Sequence, residues 1–150
     1  MKINQNSAWS KDEIFHYLDK AITPIRISCI DTNEYPVICS LWFIHLDGIL
    51  WSASHKNAHI IKTLGNTTKA AFEVANNEYP YYGVRGKADI ILLKDDPEDI
   101  LEKVIDKYLQ GSNKKLSTWL LSRKKDEYAI KISPVTLNSW DFSARMNRQE

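Results

Sequence analysis

Ser40-Leu41-Trp42-Phe43-Ile44-His45-Leu46-Asp47-Gly48-Ile49-Leu50-Trp51-Ser52 reads as two strands joined at Asp47-Gly48. Asp-Gly favours a two-residue hairpin, because both central positions need positive φ, which Gly adopts freely and Asp tolerates. Read backwards from the turn, Pro36 to Leu46 is one long strand. Successive side chains of a strand point to opposite sides. Val37, Cys39, Leu41 and Phe43 therefore share one face, and Ile38, Ser40, Trp42 and Ile44 the other. Both faces are largely apolar. A strand covered on both sides fits a barrel wall that also meets a second subunit or a cofactor. Ile49 to Ser54 returns as its partner.

Towards the N-terminus, Ser10-Lys11-Asp12-Glu13 is a capping box, in which Ser10 caps and Glu13 reaches back. Ile14, Leu18, Ala21 and Ile22 recur at helical spacing, so a helix is expected over about 10–23, ended by Pro24. Ile25, Ile27 and Cys29 alternate with Arg26 and Ser28 as a half-buried strand, and Asp31 to Glu34 is a turn. Towards the C-terminus, a short helix is expected near Ala58 to Leu64, with Asn57 as cap and Gly65 past its end. Lys69 to Ala75 is a strand. Tyr81 to Leu93 is a long strand in which Gly83 and Gly86 mark bends or bulges. Asp96 caps a helix with Pro97 at its first position. Ile100, Leu101, Val104, Ile105, Tyr108 and Leu109 form its buried face, and Gly111 stops it. A second short helix spans Leu116 to Ser122. Two strands, Glu127 to Ile132 and Val135 to Phe142, lie either side of Pro134, and residues 143–150 form a polar, frayed tail. The sum is mainly β: about seven antiparallel strands closing on themselves, with peripheral helices, in a single domain over 1–150.

With 43% hydrophobic and 26% charged residues among 150, the chain is an ordinary globular one and not a disordered or fibrous one. The formal net charge of +1 argues against nucleic acid or an anionic membrane surface as the main partner. No run is long enough to span a bilayer. The first residues lack the apolar stretch of a signal peptide, and the cytoplasm is the expected location. Cys29 and Cys39 read as two buried thiols.

No nucleophile elbow, P-loop or dinucleotide-binding glycine motif is present. His55 and His59 are four apart, but the intervening Lys56 repels a cation, and no metal site is expected. Ser52-Ala53-Ser54-His55-Lys56-Asn57-Ala58-His59-Ile60-Ile61-Lys62 sets hydroxyls at a strand end, then bases, then a helix start. That pattern suits a phosphate, but on these residues alone a solvated polar loop is the preferred reading. Arg85, inside a strand, suits a carboxylate partner or a ligand phosphate. Trp140-Asp141-Phe142 suits an aromatic lid over a flat ligand or plain core.

In order and spacing these segments resemble the pyridoxamine 5′-phosphate oxidase-like, FMN-binding split-barrel proteins. The resemblance is carried by the Ser40–Ser52 hairpin, by Lys62-Thr63-Leu64 followed by Lys69-Ala70-Ala71-Phe72-Glu73-Val74, and by Gly83-Val84-Arg85-Gly86-Lys87-Ala88. Lys107-Tyr108-Leu109 and Ser139-Trp140-Asp141-Phe142 complete it. It spans roughly residues 20 to 143. It implies a split β-barrel homodimer with FMN held at the interface by both subunits, and an oxidoreductase acting on a small molecule. By this resemblance Trp42 lines the flavin ring, and Ser52 and Ala53 face the ribityl phosphate; Ser54, His55 and Lys56 of the hydroxyl-and-base segment complete the cofactor-binding candidates. His59 and Lys62 hold the phosphate, Tyr81 lies at the ring edge, and Trp140 caps the site. Oxidases of the family carry Ser-Arg-Lys at the phosphate helix, where this chain has Ala58-His59-Ile60. No side chain is assigned as a catalytic acid or base. Two alternatives keep the fold: a reductase using the deazaflavin coenzyme, suggested by Lys107-Tyr108-Leu109 and Trp140-Asp141-Phe142, and a flavin- or haem-binding protein without turnover.

Overall fold

The computed structural model describes residues 1–95 and 99–146. Asp96 and Pro97, the expected cap and first helical residue, lie outside the described residues. In chain order the elements are β1 (Lys2–Ile3), α1 (Lys11–Lys20), β2 (Ile25–Ile30), β3 (Pro36–Leu41), β4 (Phe43–Leu46), β5 (Ile49–His55) and α2 (His59–Leu64). They continue with β6 (Lys69–Ala75), β7 (Tyr82–Leu93), α3 (Ile100–Leu109), α4 (Lys114–Ser122), β8 (Glu127–Asp141) and α5 (Ser143–Met146).

Seven strands form one antiparallel path, β3-β2-β6-β7-β8-β5-β4, and β1 adds in parallel to β8. The two outer strands of that path are consecutive in the chain, because β3 ends at Leu41 and β4 begins at Phe43. The long strand expected from Pro36 to Leu46 is therefore two strands hinged at Trp42. Its first half pairs with β2 and its second with β5. The Trp42 carbonyl, turned out of the ladder, accepts the Ser52 hydroxyl at 2.7 Å, so the corner leaves that acceptor satisfied. The sheet thus curls into a half-barrel whose two edges meet through one residue.

The hairpin forms as expected, with Asp47 at φ 50° and Gly48 at φ 80°. The last strand differs from expectation. β8 runs unbroken through Pro134, which pairs with Ala88 where the β7–β8 register shifts between Lys87 and Ala88. A bulge accepts a residue with no N–H to donate. Gly86 is not the bulge. A Cβ there would stand 2.2 Å from the Thr136 carbonyl oxygen, so glycine is required by close strand approach.

The barrel interior is filled by Ile25, Ile27, Phe43, Leu50, Val74, Val84, Ile130, Ile132 and Leu137, all fully or almost fully buried, together with Ile14 and Leu18 of α1. Each such side chain contributes about 1.5–3 kcal/mol by leaving water. The Ser10–Glu13 capping box is present at the start of α1. A second cluster lies outside the wall, where Ile100 and Val104 of α3 pack on Ile44, Trp51 and Ala129. The second apolar face read on the Pro36–Leu46 strand is therefore covered by α3 along β4. Along β3 it stays open, with Ile38 69% exposed. Ala58, not Asn57, is the N-cap of α2 and makes no side-chain cap bond. Where fraying was expected, Ser143–Met146 form a helical turn, begun by Ser143 N donating to Asp141 Oδ1 at 2.8 Å. Cys29 and Cys39 are free, and burial raises both thiol pKa values. Among the described residues no helix is long and apolar enough to cross a membrane.

Candidate functional site

The expected site residues fall into two groups at opposite ends of β8. Ser52, Ala53, Ser54 and His55 close β5 against the start of β8, with Ser54 opposite Tyr128 and His55 opposite Glu127. Lys56 follows, and α2 then presents His59 and Lys62, both exposed. The group is unevenly available. Ser52 is fully buried and its hydroxyl is held by the Trp42 carbonyl. Lys56 Nζ pairs with Asp126 at 2.6 Å, and this lowers the Asp126 pKa. His55 Nδ1 accepts the Asn57 N–H at 3.2 Å. His59 and Lys62 have no side-chain partner among the described residues. Three apart on one helix, they share a face.

Trp42 stands at the corner with its ring stacked on Tyr108, centroids 5.0 Å apart and planes 9° from parallel. The Tyr108 hydroxyl donates to the Thr23 carbonyl at 3.5 Å and accepts the Phe43 N–H at 3.4 Å. Burial pushes its pKa up to about 12. One face of Trp42 is thus taken by Tyr108 of α3, and the residue is half-buried beside the second cluster.

Tyr81 and Trp140 form the second group. Trp140 pairs with Gly83 near the end of β8, and the Phe142 N–H donates to the Tyr81 carbonyl at 3.0 Å. Within one chain they do not meet the Ser52–Lys62 group. Trp140 carries the Arg85 guanidinium 5.3 Å from its ring centroid, a cation–π contact. A carboxylate was one expected partner of Arg85. Its cross-strand neighbour Glu73 instead pairs with Arg26 at 3.4 Å.

Beside Arg85 lies a cavity of about 790 Å³ that sequence reasoning missed. It is floored by the outer face of β2, β6, β7 and β8. The register builds it in two cross-strand rows. Arg26, Glu73, Arg85 and Asn138 form one; Ser28, Ala71, Lys87 and Thr136 form the other, extended by Ile38 on β3 and Lys2 on β1. Each is an outward residue of an alternating strand. Nothing in any single strand distinguishes it from a solvated position.

A further polar pair ties β4 to the exposed Asp19 of α1. His45, its side chain 5% exposed, holds Asp19 Oδ1 through Nδ1 at 2.7 Å, while its buried Nε2 has no partner among the described residues. Nearby, Lys107 Nζ lies 4.2 Å from the Phe43 ring centroid and donates to the Leu18 carbonyl. Burial lowers its pKa to about 8, against an upward pull from Asp19. Among the described residues no group of three or more His, Cys, Asp or Glu could hold a metal ion.

No protein-family model matches the chain, and no curated protein matches it. Solved structures do. A conserved hypothetical protein of Mycobacterium tuberculosis, Rv2991, superposes with a TM-score of 0.79 at 15% identity, over 100% of this chain and 96% of that one. An F420 reductase superposes with a TM-score of 0.68 at 14% identity, over 82% of this chain and 94% of the other. A Listeria innocua protein provisionally described as a pyridoxamine 5′-phosphate oxidase gives 0.66 at 13% identity, over 85% and 95%. Identities this low establish architecture alone. Together with the half-barrel hinged at Trp42, they show that this chain has the split-barrel fold.

Proposed function

We propose that the chain is an FMN-binding oxidoreductase of the cytoplasm that works as a homodimer on a small-molecule substrate. One observation carries this reading. The residues suited to a flavin lie at opposite ends of β8, the Ser54–Lys62 group opposite its start and Trp140 near its end. One chain therefore holds two half-sites and no whole one. A two-fold pairing of copies completes two equivalent sites, each with the Ser54–Lys62 half of one subunit and the Tyr81–Trp140 half of the other.

In such a site Lys62 and His59 hold the phosphate by charge-assisted hydrogen bonds. Trp42 backs the ring, and the partner's Tyr81 and Trp140 close over it and exclude water. Bound flavin supplies the hydride or electron transfer, and the protein positions it against substrate. Titrating FMN against the protein and following flavin fluorescence tests the reading. Quenching is expected, and it is lost in a Lys56→Ala/Lys62→Ala variant. FMN fluorescence left unchanged by the wild type overturns the choice of cofactor. Parallel titrations with the deazaflavin coenzyme and with haem then show whether either takes its place.

A further inference from the structure

We infer that the cavity on the outer face of β2, β6, β7 and β8 binds the oxyanion end, carboxylate or phosphate, of a small organic substrate. Calling that ligand the substrate rests on the flavoprotein reading; the anion site itself does not.

Charge points there first. Lys2, Arg26, Arg85 and Lys87 line the cavity against one carboxylate, Glu73. That is a concentrated excess in a chain whose formal net charge is +1. Glu73 is already engaged by Arg26. Arg85, Lys87 and Lys2 have no carboxylate partner among the described residues, and an arginine fork beside a lysine matches an oxyanion. The second observation is Asn138, in register beside Arg85. Its Oδ1 is buried and has no hydrogen-bond partner among the described residues. A buried acceptor without a donor is costly, and a ligand N–H or O–H beside the anionic group would satisfy it; the anion itself falls to Arg85, Lys87 and Lys2. Size agrees, since about 790 Å³ lies within the roughly 300–1,000 Å³ of small-molecule sites. Position agrees too. Arg85 bridges the cavity to Trp140, so a molecule anchored here projects its other end towards the Tyr81–Trp140 half-site.

The test is residue-resolved NMR on the ¹⁵N-labelled full chain, following backbone amides and arginine side chains. Inorganic phosphate and succinate are titrated separately, with sodium chloride at matched ionic strength as control. Saturable shifts are expected at Arg85, Lys87 and Asn138, and the probe that saturates at lower concentration identifies the group. Arg85→Ala/Lys87→Ala should weaken that binding by roughly tenfold or more. Both side chains are exposed, so amide signals inside the barrel should not move; Arg85→Gln alone serves if the pair disturbs the fold. Shifts reproduced by chloride, or unaltered in the variant, overturn the site. Phosphate shifts confined to His59 and Lys62 overturn it as well, while agreeing with the flavin half-site. Failure of the flavin reading shows separately, as undiminished FMN fluorescence.

Discussion

Two regions of this barrel use polar side chains in opposite ways. Around the Trp42 corner the polar groups are committed, with the buried His45 Nε2 as the exception among the described residues. The Ser52 hydroxyl holds the Trp42 carbonyl, Tyr108 joins α3 to Phe43 and Thr23, and Lys107 lies over Phe43. On the outer face of β2, β6, β7 and β8 the reverse holds: among the described residues Arg85 and Lys87 have no carboxylate partner and the buried Asn138 Oδ1 has no donor. A satisfied polar group is explained by the fold it stabilises. An unsatisfied one points to something the chain alone does not supply. By that criterion the corner is architecture that presents a wall, and the outer face is a surface awaiting a ligand or partner.

The largest effect that sharpens the contrast is Phe43→Ala. Phe43 is fully buried, and its truncation should cost about 3–5 kcal/mol in urea unfolding. Lys87→Ala on the open face should stay within about 0.5 kcal/mol. Equal losses would erase the distinction. Ser52→Ala comes next. It strands the Trp42 carbonyl in a buried corner and should cost about 1–3 kcal/mol by the same measurement; a neutral result would mean that the corner does not depend on that bond.

Lys107 gives a pH signature. Its folded pKa of about 8 lies below the ordinary 10.5. Below pH 8 both states carry the proton and burial burdens the native one. Between about 8 and 10.5 the unfolded chain binds more protons, so this part of stability rises with pH. Tyr17 and Tyr108, raised by burial from 10.0 to about 12, act oppositely above pH 10. The stability advantage of Lys107→Met over wild type should therefore shrink from neutral pH to pH 10, by about 1 kcal/mol allowing for solvent screening of a partly exposed amine. A constant advantage would contradict the burial. Asn138→Leu is the smallest and has the opposite sign to the corner variants. Removing an unpaired acceptor should stabilise the free protein by up to about 1 kcal/mol, and a loss of stability would show that Asn138 is already satisfied.

Local chemistry made much of the fold legible. Asp47-Gly48, the Ser10 capping box and the alternation of β2 each act within a few residues, and each forms as read. The hinge at Trp42 was not legible, because the pattern of an unbroken strand and of one that changes partners is the same. Pro134 misled for a related reason. Whether a proline ends a strand or sits in a bulge depends on its neighbour, Ala88. For the site, hydroxyls and bases at a strand-to-helix junction stand out along the chain. The cavity residues Arg26, Lys87 and Asn138 do not, because only the register of four strands brings them together. The helix expected from Asp96 does form, with Asp99 as its cap and Ile100 as its first residue.

The central claim, a flavin shared between two copies, is tested most directly by sedimentation of the protein with FMN, monitored at the flavin's visible absorption band. The account predicts flavin absorbance moving at twice the mass of one chain, with one FMN per subunit. Flavin that stays behind while the protein sediments, or that travels with a single chain, would contradict it.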